Sequence, residues 1–163
     1  MNRPTKLFLL ALLLPPSVAL AQSNFQANLA GSNEVPAIST SGVGAFSARV
    51  DKDETAIAFE LSFGNLSSAV AVAHIHFGQH DVNGGVSAFL CGGGGQPACP
   101  AATEGQVSGV ITAANVTGPA AQGISPGEFA ELVHAIRSGD AYVNVHTATF
   151  GSGEIRGQIV PGS

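Results

Sequence analysis

Residues 70–77 read VAVAHIHF, an apolar run that contains two histidines separated by one isoleucine. In a β-strand, successive side chains point to opposite faces of the sheet, so His74 and His76 share one face and Ile75 lies on the other. The apolar face of such a strand packs into a hydrophobic core. We therefore expect the two histidines to point outward, away from the core, on a rigid strand.

A second run of this kind, YVNVH, ends at His146, about seventy residues further along. By the same alternation its valines belong to the core face, while Tyr142, Asn144 and His146 belong to the polar face. Two strands would then present three imidazoles on one side of a sheet. Imidazole is the commonest protein ligand for zinc and copper at neutral pH, so the pattern predicts a copper or zinc site made of His74, His76 and His146.

Alternation of apolar and polar residues continues through most of the chain, with turn residues at short intervals. Phe59, Leu61 and Phe63, for example, share one face of their segment. This pattern is typical of strands that each offer one apolar side to a common core, and it predicts an all-β protein of about eight strands in two facing sheets. The predicted strands are Asn24–Ala30, Val43–Val50, Thr55–Phe63, Val70–Phe77, Val86–Leu90, Gln106–Thr112, Ala141–Thr149 and Glu154–Val160.

One segment has helical rather than alternating periodicity. It begins with Ser125 as a candidate N-cap, Pro126 at the first helical position and Glu128 at the capping-box position. Apolar residues then recur at three- and four-residue spacing. We expect one short helix over residues 126–137, packed across one end of the sheets, with His134 solvated on its polar flank.

The first residues have the composition of a secretory signal peptide. Arg3 and Lys6 precede an apolar run over residues 7–14, and a pattern of small residues follows, as expected just before a signal-peptidase cleavage site. We expect residues 1–21 to be removed and residues 22–163 to form one exported domain, in the periplasm or outside the cell.

Charge and hydropathy exclude two classes of partner. The whole chain has a formal net charge of −5, so removal of the two cations Arg3 and Lys6 leaves −7. An acidic domain of this kind is poorly suited to nucleic acid or to an anionic membrane surface. The apolar run near the start is too short to span a bilayer and no later segment replaces it, so we expect no membrane insertion.

Cys91 and Cys99 are the only cysteines in the sequence. In an exported protein such a pair favours a disulfide over a metal or redox site. The glycines from Gly92 to Gly95 lie between them, but the Lys-Ser or Lys-Thr of a phosphate-binding loop does not follow. We therefore expect a disulfide that closes a short polar loop.

Five short motifs follow one another along the chain: NEVP (33–36), AHIHFG (73–78), NG (83–84), YVNVHT (142–147) and GEIRGQ (153–158). In this order they resemble the CHRD (chordin-type) domain. That family occurs in chordin, an extracellular antagonist of growth factors, and in short exported bacterial proteins. The resemblance covers nearly all of residues 22–163 and implies an extracellular module that can bind a protein partner.

The motif HIHFG, from His74 to Gly78, also resembles the His-x-His strand of copper/zinc superoxide dismutases. His146, with the later Gly-x-x-Arg-Gly that contains Arg156, resembles their late copper histidine and active-site arginine. This resemblance implies a Greek-key β-sandwich with copper bound by the three histidines on its outer surface. By the same resemblance, Arg156 would guide a small anion towards that copper.

The dismutases also have a zinc subsite of further histidines and an aspartate, for which this chain offers only His80, Asp81 and His134. A mononuclear three-histidine site fits this inventory better than a dinuclear one. Water, His80, Asp81 or Glu34 would complete its ligand shell.

Other polar residues share the face of the histidines, namely Tyr142, Asn144, Glu154 and Arg156. They would either support the metal ligands or form, with the histidines, a hydrogen-bonded cluster that holds two strands together without any metal. In the second case Arg156 and Glu154 would form a surface ion pair that contributes little to stability.

Two classes of function remain. One is an exported copper- or zinc-binding protein that stores, delivers or buffers the metal, or carries out modest redox chemistry. The other is a non-enzymatic structural or partner-binding module without metal, whose partner would be an unidentified protein or a second copy of the chain. The paired cysteines leave no free thiol as a nucleophile, and superoxide-dismutase-like redox activity is the only enzymatic candidate that we retain.

Overall fold

The computed structural model describes residues 23–162; residues 1–22 and 163, and with them the expected signal peptide, lie outside the described part. Within it the chain forms nine strands and one α-helix, so the prediction of an all-β fold with one short helix is confirmed. The strands are β1 (Asn24–Ala30), β2 (Val43–Val50), β3 (Ala56–Gly64), β4 (Val70–Phe77), β5 (Gly85–Cys91), β6 (Gly105–Thr112), β7 (Ala141–Thr147), β8 (Ile155–Gln158) and β9 (Val160–Pro161). The helix α1 spans Phe129–Ser138, and short 3-10 turns span Gly31–Asn33, Ala113–Asn115 and Ala120–Gln122.

All nine strands join one antiparallel sheet in the order β5-β4-β7-β8-β1-β2-β3-β6, with β9 paired to β1. The two facing sheets expected from the sequence are two halves of this sheet, joined where Ala30 of β1 pairs with Arg156 of β8. At the opposite edges, Ala88 of β5 bridges Val116 just after β6, so the sheet is nearly closed around one core. Because β6 pairs with β3 and β7 with β4, the chain crosses between the halves by the long connections of Greek-key folds.

The core lies between the two halves and consists of the alternate apolar residues seen in the sequence. In β3, the apolar side chains at every second position from Ile57 to Phe63 are buried. Phe59 of this strand stacks on Phe46 of β2, with ring centroids 6.4 Å apart. Burial of each such side chain stabilises the folded state by about 1.5–3 kcal/mol, which fixes the face of each strand that turns inward.

The helix begins later than the sequence predicts, at Phe129 rather than at Pro126. Gly127 has a φ of 88°, in the left-handed region, so an α-helix cannot run through it. Ser125 and Glu128 still interact, but as a turn, in which the Glu128 N–H donates to the Ser125 carbonyl at 3.1 Å. The apolar side of α1 is buried as predicted. No helix in residues 23–162 has the length and apolarity needed to cross a bilayer.

Two further boundaries differ from the prediction. β7 ends at Thr147 rather than at Thr149, because the Phe150 N–H donates to the Thr147 hydroxyl at 3.2 Å and the chain turns there. The last predicted strand divides into β8 and β9 because the chain changes partner: β8 pairs mainly with β7, whereas β9 pairs with β1. The other predicted strand ends lie within one residue of the observed ones.

Cys91 and Cys99 form the expected disulfide. Cys91 is the last residue of β5, and Cys99 lies in the connection that leads to β6. The bond therefore closes a short loop at the end of the strand that lies next to the histidine-bearing strand β4.

Candidate metal centre

The three predicted ligands lie on two neighbouring strands. In the antiparallel pairing of β4 with β7, His74 is opposite Asn144, and Val72 is opposite His146. His146 is therefore the diagonal neighbour of His74 and leaves the sheet on the same face, within reach of a long side chain. His76, two residues further along β4, lies on that face as well.

The three imidazole rings converge. One ring nitrogen from each of His74, His76 and His146 lies within 4.8 Å of the other two, and residues 23–162 contain no other such group of three or more His, Cys, Asp or Glu. The closest pair is His74 Nδ1 and His146 Nε2, at 3.1 Å. The structure thus brings together all three residues that strand alternation selects.

The histidines leave the sheet opposite the main core, as predicted, but they do not face open solvent. Their exposed fractions are only 8%, 8% and 9%. Two segments lie over this part of the sheet: the first cover loop, residues 78–84, and the second cover loop, residues 148–153. Each supplies a backbone carbonyl to one histidine, and the expected surface site is therefore a buried one.

These carbonyls fix the orientation of two rings. His76 Nδ1 lies 3.0 Å from the Gly84 carbonyl oxygen, and His146 Nδ1 lies 3.1 Å from the Gly151 carbonyl oxygen. Because a carbonyl only accepts, each Nδ1 carries a proton and donates it, which leaves each Nε2 of the neutral ring unprotonated. His76 Nε2 is buried and has no hydrogen-bond partner among the described residues. Metal-bound histidines are held in this way, with one ring nitrogen on a carbonyl and the other directed at the ion.

Aromatic rings pack around the cluster. Tyr142 stacks on His76, with ring planes 7° apart and centroids 4.8 Å apart. Phe89 of β5 meets His74 edge-on, with centroids 4.5 Å apart. These contacts keep water from two sides of the cluster and restrict the rotamers of both histidines.

Burial keeps the imidazoles neutral. It lowers the pKa of His74 to about 3, with a further contribution from the neighbouring His146 and His76. It lowers the pKa of His76 to about 4, although the Gly84 carbonyl opposes the shift. Burial also lowers the pKa of His146, against the opposing Gly151 carbonyl. Because metal ligation requires neutral imidazole, the cluster has the necessary protonation state at neutral pH.

Arg156 is buried, with only 2% of its surface exposed. Its guanidinium carbon lies 3.5 Å from the centre of the Tyr142 ring. It donates to the carbonyls of Gln79 and Val82 at 3.1 and 2.9 Å, and to the Asn83 side chain at 3.3 Å. With its donors on the first cover loop and its face against Tyr142, Arg156 holds that loop over the histidines rather than guiding an anion from solvent.

The expected surface ion pair of Arg156 with Glu154 does not form in the described part of the chain. Glu154 is fully buried and accepts hydrogen bonds of 2.7 Å from the hydroxyls of Thr40, Ser67 and Thr147, and one of 2.8 Å from the Ser67 N–H. Burial alone would raise the pKa of Glu154, but these hydrogen bonds together outweigh burial and lower it. Glu154 thus connects the segments of Thr40 and Ser67 to Thr147 at the end of β7.

Glu34 is buried beside β7, where the Asn144 side-chain amide donates to its Oε2 at 3.3 Å. Glu34 Oε1 and Asn144 Oδ1 have no hydrogen-bond partner among the described residues. Burial raises the pKa of Glu34 to about 7, partly offset by Asn144 and by the charge of Arg156. Glu34 therefore supports the strand that carries His146 and does not join the three-histidine group.

The other candidate ligands lie elsewhere. His80 and Asp81 are exposed on the first cover loop and pair with each other, Nδ1 to Oδ2, at 2.9 Å. His134 is exposed on α1. Among the described residues, none of these joins the three histidines, which leaves the fourth coordination position of a bound ion to water or to a small ligand.

The sequence did not predict the roles of three parts of the centre: Phe89, Gly84 and Gly151. Phe89 gave a weak signal, because it is a large apolar residue on the opposite face of its strand from Ala88 and Leu90, which fill the core. The carbonyls of Gly84 and Gly151 gave none, because every residue type supplies a carbonyl.

Comparison with known proteins identifies the family. Neither a search of curated proteins nor a search of solved structures finds a significant match. The resemblance to superoxide dismutases therefore rests on the short motifs alone. The family model of the CHRD domain matches residues 25–159, a range that includes the three histidines and both cysteines, and the chain belongs to the CHRD domain family.

Proposed function

We propose that this CHRD domain is an exported protein that binds one copper or zinc ion through His74, His76 and His146, and that it stores, delivers or buffers this metal. The observation that carries the proposal is the buried Nε2 of His76, which has no partner among the described residues and belongs to the converging group. A buried polar atom without a partner costs free energy. A metal ion at the point of convergence would remove that cost.

The spacing of the ring nitrogens suits a small transition-metal ion. Zinc–imidazole bonds of about 2.0–2.1 Å at tetrahedral angles place two ligand nitrogens about 3.3 Å apart. His74 Nδ1 and His146 Nε2 are 3.1 Å apart, and all three nitrogens lie within 4.8 Å. A small rotation of one ring would complete the site, with the His74 proton moved to Nε2.

The donor set favours storage, delivery or buffering over rapid catalysis. Three neutral imidazoles suit zinc and copper and would leave one exchangeable position on the ion. With copper bound, that position would also permit modest redox chemistry with a small molecule. The enclosed Arg156 gives no support to steering of anions towards the site.

The compartment fits a protein of this kind. The Cys91–Cys99 bond suits an oxidising environment such as the periplasm or the extracellular space. The family occurs in an extracellular protein, chordin, and the sequence begins with the pattern of a signal peptide. An exported domain would bind metal ions outside the cytosol, and it would buffer or deliver them there.

The alternative is a structural or partner-binding CHRD module without metal. The direct His74–His146 contact at 3.1 Å favours it, because a proton on His74 Nδ1 makes this an ordinary hydrogen bond. The packing of Tyr142 on His76 would then make the cluster a small second core that holds β4 and β7 together.

Calorimetric titration of the mature chain, residues 22–163, with Zn(II) and with Cu(II) separates the two functions. We expect binding of about one equivalent. Binding should be abolished in the double variant His74→Ala, His76→Ala and retained in His134→Ala, the matched control on the exposed side of α1. Absence of binding by the wild type, or equal binding by the double variant, would refute the metal site and favour the partner-binding module.

A further inference from the structure

A series of contacts leads from the disulfide to one of the three histidines. Phe89 packs against His74 on one side, with ring centroids 4.5 Å apart. The same ring also contacts the loop closed by the Cys91–Cys99 bond, residues 92–98, which we refer to as the disulfide loop. The position of His74 is therefore linked, through one aromatic ring, to a bond that can be reduced.

The disulfide loop rests directly on the Phe89 ring. A Cβ atom on Gly93 would come within 2.5 Å of this ring, and one on Gly94 within 2.7 Å. Non-bonded carbon atoms do not approach so closely, so the loop can lie on Phe89 only because both residues lack a side chain. The ring therefore contacts both the loop and His74.

The strand pairing beside Phe89 is irregular. Cys91 of β5 pairs with Ala73 of β4, and Phe89 pairs with the next residue, His74, so that Leu90 is an extra residue on β5. A β-bulge redirects side chains and interrupts the ladder of hydrogen bonds. The orientation of Phe89 therefore depends strongly on what holds the end of β5.

Besides its pairing with β4, that end is held by the disulfide. Cys91 is fully buried. The loop is also attached by two side-chain hydrogen bonds, Gln96 to the Val110 carbonyl at 2.9 Å and Asn115 to the Gly94 carbonyl at 3.0 Å. These lie at or near the surface, where water competes for the same donors and acceptors. Within the loop, the Gly92 N–H also donates to the Pro97 carbonyl at 2.8 Å. The covalent bond differs from all these hydrogen bonds in that water cannot compete for it.

We propose that the Cys91–Cys99 disulfide controls the metal affinity of the site through Phe89 and His74, so that the ion is retained while the disulfide is intact and released when it is reduced. This rests on the three-histidine metal site proposed above. In the reduction, a dithiol gives two electrons and two protons to the Sγ–Sγ bond, which becomes two thiols while the dithiol becomes a disulfide. The freed loop leaves Phe89, and His74 loses its fixed rotamer. Preorganisation of the ligand set is then lost, and with it affinity.

Zn(II) titration of the mature chain tests the proposal, because zinc has no redox reaction of its own with thiols or disulfides. The first variant carries Cys91→Ser and Cys99→Ser, which removes the bond without creating thiols that would bind zinc themselves. We expect Zn(II) affinity to fall by about tenfold or more, as for other residues that orient metal ligands. Equal affinity in this variant, folded as judged by circular dichroism, and in the wild type would overturn the proposal.

A second variant keeps the disulfide and disturbs only the contact. Gly93→Ala presses a methyl group against Phe89, whereas in the control Gly64→Ala the nearest atom is 3.9 Å away. We expect weaker Zn(II) binding and an altered visible spectrum of the Co(II)-loaded protein for Gly93→Ala, with neither change in the control. This pair decides the question if the double-serine variant does not fold. An unchanged affinity and spectrum in Gly93→Ala would overturn the proposal.

The two proposals fail in different ways. If the oxidised wild type binds neither Zn(II) nor Cu(II), the metal site is refuted and its control by the disulfide with it. If the wild type binds Zn(II) and the double-serine and Gly93→Ala variants bind it equally well, the metal site stands and only the control by the disulfide is refuted.

Discussion

The two halves of the sheet show the same alternation of side chains along their strands, but they differ in how far the outer face is buried. In β1, β2, β3 and β6, which we refer to as the open half, inner side chains are buried and most outer ones meet solvent. In β4, β5, β7 and β8, the covered half, the outer face is largely buried too, and every residue of β7 is buried. One half therefore has a solvated polar face, while the other has a polar face enclosed by loops.

This difference determines what a polar residue must do. In the open half, Arg49 and Glu60 are exposed and water satisfies them. In the covered half, Arg156 and Glu154 are buried, and each needs partners from the protein. Carbonyls and hydroxyls of the surrounding segments supply them. A few buried atoms of this half lack a partner among the described residues, and one of them, the Nε2 of His76, belongs to the converging histidines of the candidate metal centre.

The largest expected difference between the halves is the effect of removing an arginine. Arg156→Ala removes the side-chain donor of the Val82 carbonyl, leaves the Gln79 carbonyl with only the Val82 N–H, and uncovers the face of Tyr142. We expect the free energy of unfolding to fall by about 3 kcal/mol, since hydrogen bonds from a buried charge are lost. Arg49→Ala, the control in the open half, should change it by no more than about 0.5 kcal/mol. Urea denaturation measures both, and equal losses would contradict the contrast.

A smaller effect is expected for the carboxylates. In Glu154→Gln, an amide N–H₂ replaces one of the oxygens that accept from Thr40, Ser67 and Thr147. We expect the free energy of unfolding to fall by about 2 kcal/mol, because hydrogen bonds to a charged acceptor become weaker neutral ones or are broken. Glu60→Gln, the exposed counterpart, should leave the free energy of unfolding almost unchanged. If both variants unfold at the wild-type urea concentration, Glu154 does not tie the segments together as its contacts indicate.

Most of the fold could be predicted because alternation is a local property. The strand bounds of β1, β2 and β4 follow from residues within each strand, and the buried and exposed positions of the open half follow the same rule. The start of α1 was missed because the capping-box pattern does not reveal that Gly127 adopts a positive φ. The local sequence pattern therefore predicts the strands and the helix. It does not predict the residue at which α1 begins, because that depends on one backbone angle.

The candidate site could be predicted only in part, for a related reason. Alternation gives the face from which His74, His76 and His146 leave the sheet, but not what covers that face. The covering contacts are distant in sequence: Glu154 binds Thr40, 114 residues away. Such contacts have no local signature. For this reason the sequence could not predict the burial of the histidines, the enclosure of Arg156 or the absence of an ion pair between Arg156 and Glu154.

We expect acid to destabilise the folded protein through the histidines of the covered half. In the unfolded chain histidine titrates near pH 6.5, whereas folded His74 and His76 have pKa values of about 3 and 4. Below pH 6.5 the unfolded state therefore takes up protons that the folded state does not, so the contribution of these histidines to stability is level above this pH and is lost as the pH decreases towards 4. For metal-free protein we expect a loss of about 1.5 kcal/mol between pH 7 and 5.5, after the opposing effect of Glu34. Urea denaturation at these pH values checks it, and a rise in stability over this interval would contradict it.

The smallest expected effect comes from Glu34, which acts in the opposite direction. Burial raises its pKa from 4.5 to about 7, against the opposing hydrogen bond from Asn144 and the charge of Arg156. Between these values the folded state holds a proton that the unfolded state has lost, so this contribution to stability is complete below pH 4.5 and is lost as the pH rises through about 7. Glu34→Gln removes the titration, and the loss of stability between pH 7 and 5.5 should become about 1 kcal/mol larger than in the wild type. Glu60→Gln, at an exposed position of the open half, is the control variant in the same titration series. If Glu34→Gln gives the wild-type profile, Glu34 ionises near its ordinary pKa, and the covered half encloses this carboxylate less completely than its contacts indicate.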